Sequence, residues 1–229
     1  MLTFYDDATG ERTELSGTTL ANWVAKTANL LVDGCGLGPG DRAAVLLPPH
    51  WQTAAVLLGA WSAGLEVAMI DPRFADLPSS AAEMSAQYDV LFTAAEPLLD
   101  KVDAADRFVL GLAPMAMPLR EVPAGFVDYV TEVRQHGDHF TPPRRRGPAA
   151  TTDGTTYEEW GRGSLVIVEA LGIRRGDRVL IDAAELTHPI QWLLAPLAAQ
   201  ASVVLCTNLD KSKLPARVES ERVTLVLPR

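Results

Sequence analysis

Hydroxyl-bearing residues and one glycine lie together at Thr151–Thr156. Backbone amides beside a glycine and threonine hydroxyls donate hydrogen bonds to phosphate oxygens, so this run has the composition of a phosphate-binding loop. Asp153 adds a negative charge inside the run, Glu158 and Glu159 follow it, and no lysine closes it. Since like charges repel, the sequence predicts a degenerate loop, unsuited to a polyphosphate without a metal, at Thr151, Thr152, Gly154, Thr155 and Thr156. The same residues are also typical of a helix N-cap.

His188 is the second residue with chemical potential. It stands in the segment Leu186-Thr187-His188-Pro189, just before a predicted helix. An imidazole titrates near neutrality and can hydrogen-bond a carboxylate. His50 also precedes a predicted helix, where we expect it to be a helix-start residue.

Residues arranged for catalysis or metal binding are not found in the sequence. It contains no Cys/His cluster, no G-x-S-x-G motif and no pair of carboxylates at catalytic spacing. The glycines between Gly36 and Gly40 run from a predicted helix into a predicted strand, whereas a dinucleotide-binding loop runs from strand to helix. We therefore predict no catalytic residue, no metal site and no cofactor.

Composition restricts the class of protein. The 229 residues are 48% hydrophobic and 21% charged, as in ordinary globular proteins. A net charge of −9 argues against nucleic acid as a partner. The two cysteines, Cys35 and Cys206, are too few for a disulfide framework, and neither a signal peptide nor a membrane span of about 20 residues is visible. We expect a cytoplasmic protein with no membrane anchor.

Helical and strand-like patterns alternate along the chain, which predicts an α/β fold with mainly parallel sheets covered by helices. In the first half, helices are predicted at Leu20–Leu31, Trp51–Ala63, Ser79–Gln87, Glu96–Lys101 and Phe126–Arg134, and strands at Arg42–Leu47, Glu66–Ile70, Asp89–Thr93 and Arg107–Leu110. In the second half, helices are predicted at Thr156–Leu171, Ile190–Ala199 and Leu214–Glu221, and strands at Val179–Ile181, Ser202–Cys206 and Val223–Leu227.

The second half repeats the layout of the first. Trp23 recurs as Trp160 at an offset of 137, and Gly40-Asp41-Arg42 recurs as Gly176-Asp177-Arg178 at an offset of 136. A change of one residue is easily absorbed in a loop. We therefore predict two related α/β units packed as one globular domain: residues 1–136, a linker at 137–152 that includes three consecutive arginines from Arg144, and residues 153–229.

Several motifs resemble the N-terminal part of the adenylate-forming superfamily, which comprises acyl-CoA synthetases, luciferases and peptide-synthetase adenylation domains. The resemblance is carried by Gly36-Leu37-Gly38-Pro39-Gly40-Asp41-Arg42, Ala63-Gly64, Ile70-Asp71-Pro72-Arg73, Asp89-Val90-Leu91-Phe92-Thr93, Leu171–Leu180 and Glu221-Arg222-Val223-Thr224. It implies that Thr151–Thr156 corresponds to the ATP loop T-S-G-T-T-G-x-P-K-G without its lysine. It also implies that His188 falls where the family's P-L-F-H-x-x-G histidine lies at the mouth of the acyl site.

The resemblance implies a truncated relative with incomplete chemistry. The family's adenine-contacting segment, ribose-binding aspartate and mobile C-terminal domain with the catalytic lysine have no counterpart in this sequence. We therefore expect a non-catalytic binding, regulatory or assembly module, whose partner is a second copy, another protein or a small acyl ligand. The alternative is an incomplete adenylating component that uses ATP and Mg²⁺ with a partner chain, or a small acyl-ligand binding protein.

Overall fold

The computed structural model describes residues 1–75, 81–94, 101–144, 147 and 149–228, which form two five-stranded sheets flanked by helices. The first sheet has the order β10-β8-β9-β1-β2 and is parallel except for β2. Its strands are β1 (Leu2–Asp6), β2 (Glu11–Leu15), β8 (Arg178–Asp182), β9 (Ser202–Thr207) and β10 (Leu225–Leu227).

The second sheet has the order β4-β3-β5-β6-β7 and is parallel throughout. Its strands are β3 (Arg42–Leu46), β4 (Glu66–Met69), β5 (Gln87–Thr93), β6 (Asp103–Val109) and β7 (Val127–Asp128). The helices are α1 (Gly17–Asn29), α2 (Trp51–Ala63), α3 (Ala81–Ser85), α4 (Tyr129–Val133), α5 (Tyr157–Leu171), α6 (Ala195–Ala198) and α7 (Leu214–Ser220). The predicted fold class is confirmed.

Sequence chemistry explains how the helices begin and pack. Ser16 caps α1: its Oγ accepts a hydrogen bond from the backbone N–H of Thr19 at 3.0 Å. α2 is apolar on all sides and contains small residues such as Ala54 and Ala60, which are fully buried. An all-round apolar helix is stable only inside a core, so α2 belongs to the interior.

The chain divides into two compact units that do not follow sequence order. One contains residues 1–20, 49–51 and 158–229, and the other contains residues 21–48 and 52–157. The physical reason is that β1 pairs in parallel with β9, so the first strands of the chain belong to the sheet built by its end.

Most predicted elements are present with shifted ends, and two strands were missed. β1 and β2 escaped prediction because each is only five residues long and neither shows a sustained alternation of apolar and polar residues. The predicted strand from Arg107 begins earlier, at Asp103, and the predicted helix from Phe126 is a short strand followed by α4. The predicted helix at Glu96–Lys101 lies almost entirely outside the described residues, as do two of the three linker arginines.

The internal repeat extends to matching hydrogen bonds. In the first copy the Asp41 carboxylate accepts from the N–H of Gly38 at 2.7 Å, and in the second copy Asp177 accepts from Arg174 at 2.7 Å. Gly40 and Gly176 take left-handed conformations with φ of +96° and +84°. The strand order β5-β3-β4 in the second sheet likewise matches β10-β8-β9 in the first.

The change of offset between the two copies lies within a helix end, not in a loop. After α1 the chain continues as a π-helical turn, Leu30–Gly34, in which the N–H of Cys35 bonds to the carbonyl of Leu30 at 3.0 Å. A π-helical turn accommodates one extra residue in a helix. The expectation of a loop insertion was therefore wrong, because the additional residue is wound into the helix before Gly36.

In each copy of the repeat, the segment that precedes the first helix pairs with the sheet of the other copy. The N–H of Val203 in β9 donates to the carbonyl of Met1 at 3.1 Å. At the corresponding position in β4, Val67 donates to the carbonyl of Ala150 at 3.0 Å. The segment before α1 thus extends the sheet of the second copy, and the segment before α5 extends the sheet of the first. This exchange accounts for the interleaved units.

Candidate functional site

The predicted phosphate loop is a closed turn. Its two arms are joined by an antiparallel bridge between Ala149 and Thr156, and Thr151 bridges in parallel to Val67 of β4. The N–H of Ala150 donates to the carbonyl of Thr155 at 2.8 Å, and the N–H of Gly154 donates to the carbonyl of Thr151 at 3.0 Å. These backbone donors therefore bond within the turn.

Two further donors of the turn are directed to the carboxylate of Asp153. Its Oδ1 accepts from the hydroxyl of Thr151 at 2.5 Å and from the N–H of Thr155 at 2.9 Å. These hydrogen bonds, that of the Thr151 hydroxyl foremost, lower the pKa of Asp153 below its usual value. A fixed, ionised carboxylate thus occupies the position at which a phosphate would take the same donors.

The turn is anchored as part of the second sheet. The carbonyl of Ala150 accepts from the N–H of Val67 at 3.0 Å and from the indole Nε1 of Trp61 at 2.9 Å. Thr151 is only 4% exposed, and Gly154 has a φ of +89°, a conformation that favours glycine. α5 then begins at Tyr157, so Gly154 and Thr155 belong to the turn and only Thr156 directly precedes the helix.

His188 lies in the other compact unit, in the loop that follows the carboxyl end of β8. Its ring stacks on the indole of Trp160 in α5, with ring centroids 5.5 Å apart and an interplanar angle of 6°. The imidazole Nδ1 accepts from the N–H of Ile190 at 3.3 Å. Since Nδ1 is the acceptor, the neutral ring carries its proton on Nε2.

The loop around His188 is held by its own hydrogen bonds. The indole Nε1 of the buried Trp192 donates to the carbonyl of Thr187 at 3.0 Å, and Asp182 accepts from the N–H of Ala184 at 2.9 Å. The residue itself remains exposed, while the packing of its ring removes enough water to lower the pKa of His188 below 6.5. A neutral, oriented imidazole on an aromatic surface can donate one hydrogen bond to a ligand.

Trp160 is the component of this site that sequence reasoning missed. The structure leaves Trp160 partly exposed, with its indole against the ring of His188. Twenty-seven residues separate the two in the chain. No local pattern indicates their contact, which depends on how α5 packs beside the β8 loop.

Arg178, the first residue of β8, belongs to an ion-pair network. Its side chain is 13% exposed and forms an ion pair with Glu221, whose side chain is 6% exposed. Glu221 also accepts hydrogen bonds from the Tyr5 hydroxyl at 2.6 Å and from Arg12 Nε at 3.0 Å. This network stabilises the first sheet.

Of the other titratable groups singled out by the sequence, His50 and Cys206 are buried and Cys35 is half-buried. His50 stands directly before α2, packs edge-on against Phe4 with centroids 4.3 Å apart, and burial lowers its pKa to about 3. Burial raises the pKa of Cys35 to about 12 and that of Cys206 to about 11, and both cysteines are reduced. These values are those of packed interior groups, with little nucleophilic or basic character at neutral pH.

Metal-binding clusters and membrane-spanning helices are both absent from the described part of the chain. That part shows no cluster of three or more His, Cys, Asp or Glu side chains placed to hold a metal ion. Within the same residues, every helix is too short or too polar to cross a bilayer.

Comparisons with known proteins give a consistent result. A family model described as "AMP-binding enzyme" matches residues 2–120. A Mycobacterium tuberculosis protein named "TIGR03089 family protein" is 43% identical over 228 residues, covering 99% of this chain and 90% of that protein.

Solved structures show the same fold in longer chains. An acyl-CoA synthetase from Brucella canis superposes with a TM-score of 0.75 at 19% identity, covering 98% of this chain and 43% of that one. A fatty acyl-CoA synthetase from Mycobacterium tuberculosis superposes with a TM-score of 0.65 at 18% identity, covering 97% of this chain and 45% of that one. The chain thus spans less than half the length of these solved relatives.

Proposed function

Because this chain belongs to the AMP-binding enzyme family, we propose that it is a member that serves as a binding, regulatory or assembly module and does not adenylate carboxylates by itself. The observation that carries this proposal is the carboxylate of Asp153 at the donors of the Thr151–Thr156 turn. ATP, the nucleotide that the family resemblance implies, does not fit a turn whose donors already hold an anion.

Electrostatics supports the proposal. A triphosphate on this turn would have to displace Asp153 from the Thr151 hydroxyl and the Thr155 N–H, or share those donors with it. The lowered pKa of Asp153 keeps the carboxylate ionised at neutral pH, so displacement sets two anions side by side. The turn carries no lysine or arginine to offset that repulsion.

A ligand titration tests the proposal directly. We expect Mg²⁺–ATP up to about 10 mM to leave the thermal unfolding of the full chain unchanged, whereas a Kd of about 1 mM would stabilise it by about 1.4 kcal/mol. Asp153→Asn keeps the shape of the side chain and removes its charge. It is the matched variant of the wild type in which the repulsion between residue 153 and the triphosphate is removed. Saturable ATP binding to the wild type, or release of pyrophosphate from ATP and a carboxylic acid by the chain alone, would contradict the proposal.

A small carboxylate or acyl ligand at His188 is the second candidate. It is favoured by the stacking of His188 on Trp160 and by the fixed Nδ1 acceptor, which leaves the Nε2 proton available. Titration with carboxylates of increasing chain length, followed by NMR through the ring signals of His188 and of Trp160, should shift these signals saturably, and the Trp160 signals report binding in the variant that lacks His188. His188→Gln should abolish binding, and His139→Gln, which alters an exposed histidine of the other unit, should not. Unchanged affinity in His188→Gln would refute this candidate.

A further inference from the structure

Helix α5 carries an exposed apolar stripe. Leu165 and Val166, near its centre, are 56% and 63% exposed. The opposite side of the helix faces inward: Ser164 is 5% exposed, and a Cβ placed on Gly163 would lie 3.2 Å from the Cδ1 of Ile190. α5 is therefore packed on one side, and two of its large aliphatic residues, Leu165 and Val166, lie on the side turned to solvent.

Charged residues flank the apolar pair on the same side. Arg162, Leu165, Val166 and Glu169 follow the spacing i, i+3, i+4, i+7, which places them in one stripe along a helix. Arg162 and Glu169 are exposed. Glu158 lies one turn further back in the same stripe and pairs with Arg162 at 3.6 Å. The stripe thus has a cation before its apolar centre and an anion after it.

This order of charges is self-complementary in an antiparallel arrangement. A second α5 rotated by 180° about a point between Leu165 and Val166 sets Arg162 of each copy against Glu169 of the other. The same rotation sets Leu165 of each copy against Val166 of the other. A contact related by a two-fold axis uses the same patch on both copies, and this patch satisfies that condition in its charges as well as its apolar residues.

The ends of the helix support the same register. Glu158 and Glu159 stand in the first turn of α5, and the exposed Arg174 and Arg175 follow shortly after its last residue. In the antiparallel arrangement the acidic start of one helix lies beside the basic segment that follows the other. A parallel arrangement would place like charges together at every one of these levels.

We propose that the Arg162–Glu169 face of α5 is a self-association surface, on which a second copy of this chain binds through antiparallel pairing of the two helices. The occupant follows from the charges: a partner must present an apolar pair with an anion beside Arg162 and a cation beside Glu169, and α5 itself does so. One helix pair buries a small area, so the dimer is weak, with a Kd of about 100 μM.

Sedimentation velocity of the full chain between about 5 and about 500 μM tests the proposal. The wild type should change from monomer to dimer across this range. Arg162→Glu and Glu169→Arg each turn two attractions into two repulsions and should weaken association about tenfold. Leu165→Glu should abolish it, whereas Met115→Glu, at an 83% exposed methionine of the other compact unit, should leave it unchanged.

Mixing the two single variants separates this pairing from any general effect on the helix. Each variant alone places like charges opposite each other, but Arg162→Glu mixed with Glu169→Arg places opposite charges together at both contacts. The mixture, and the chain carrying both substitutions, should associate as the wild type does, with equal far-UV circular dichroism throughout. A wild type that stays monomeric at the highest concentration, or a mixture that fails to associate, would overturn the proposal.

Discussion

The two copies of the repeat, residues 17–69 and 154–207, have the same backbone turn in different surroundings. Arg42 and Arg178 occupy equivalent positions at the start of β3 and β8. In the first copy Arg42 donates to the carbonyl of Gln87 in an exposed bond and lies 5.1 Å from the ring centroid of Tyr88. In the second copy Arg178 is buried against Glu221.

The comparison distinguishes the hydrogen bonds that the residues of a turn determine from the surroundings that neighbouring segments provide. Asp41 and Asp177 cap their turns in the same way because an aspartate followed by a strand accepts from the N–H three residues back. At a position later in the unit, the first copy has the fully buried Gln52 and the second has the exposed His188. The groups available to a ligand or partner therefore lie where the copies differ.

The largest expected contrast is between the two arginines. Arg178→Met leaves Glu221 with Arg12 and Tyr5 only, and because Glu221 is buried we expect a loss of about 3 kcal/mol in the free energy of unfolding. Arg42→Met removes one exposed hydrogen bond and one ring contact and should cost less than about 1 kcal/mol. Urea unfolding at neutral pH measures both.

The pH dependence of the free energy of unfolding is the control for the difference between the two arginine variants. Burial opposes ionisation of Glu221, but hydrogen bonds from Tyr5, Arg178 and Arg12 outweigh it and lower its pKa from 4.5 to about 2. A lowered folded-state pKa stabilises the protein above pH 4.5 and ceases to do so as the pH falls towards 2. The difference between wild type and Arg178→Met should therefore narrow on acidification. Equal losses in the free energy of unfolding for Arg178→Met and Arg42→Met would contradict the conclusion that the surroundings of the two arginines differ.

The elements shared by both copies were predictable, because they follow from local chemistry. Glycine followed by aspartate is typical of a turn and located the turns at Gly40 and Gly176, and continuous apolar runs located β3 and β8. The pairing of β1 with β9 was not predictable, since partners nearly 200 residues apart leave no local signal. The interleaved units follow from that pairing.

The candidate site was predictable in composition but not in geometry. The sequence indicated that Asp153 conflicts with phosphate binding, and the structure adds which donors its carboxylate takes. Burial of Arg178 and the stacking of Trp160 on His188 depend on distant segments, and no spacing in the sequence indicates either. Side-chain surroundings are set by tertiary packing, whereas the turns are set by neighbouring residues.

The two turn glycines should respond alike. Gly40→Ala and Gly176→Ala introduce a Cβ at φ of +96° and +84°, and in both cases no other atom lies within 4 Å of it. Because only backbone strain contributes, each substitution should lower the free energy of unfolding by about 1–2 kcal/mol. The losses of the two variants should differ by less than about 0.5 kcal/mol. Thermal and urea unfolding of both variants give the two losses. A large difference between them would show that the turns are not equivalent.

The smallest expected effect comes from a position where the copies use different residues for one conformation. Gly64 and Gln200 accept hydrogen bonds from Gly40 and Gly176 through their carbonyls, and both are left-handed, with φ of +88° and +55°. Because glycine adopts this conformation without steric cost, Gln200→Gly should stabilise the protein by about 0.5–1 kcal/mol in urea unfolding.

The reverse change sharpens this last prediction. At Gly64 a Cβ would lie 3.1 Å from the Cγ and 3.2 Å from the Cα of Pro39, so Gly64→Ala adds a close contact to the backbone strain and should be destabilising. Gln200→Ala retains the strained backbone and removes only the exposed side chain, so it should change the free energy of unfolding by less than about 0.5 kcal/mol. If Gln200→Gly instead destabilised the protein, the glutamine side chain, rather than the shared backbone conformation, would determine stability at this turn. The two copies would then be equivalent only in the hydrogen bonds that Gly40 and Gly176 donate.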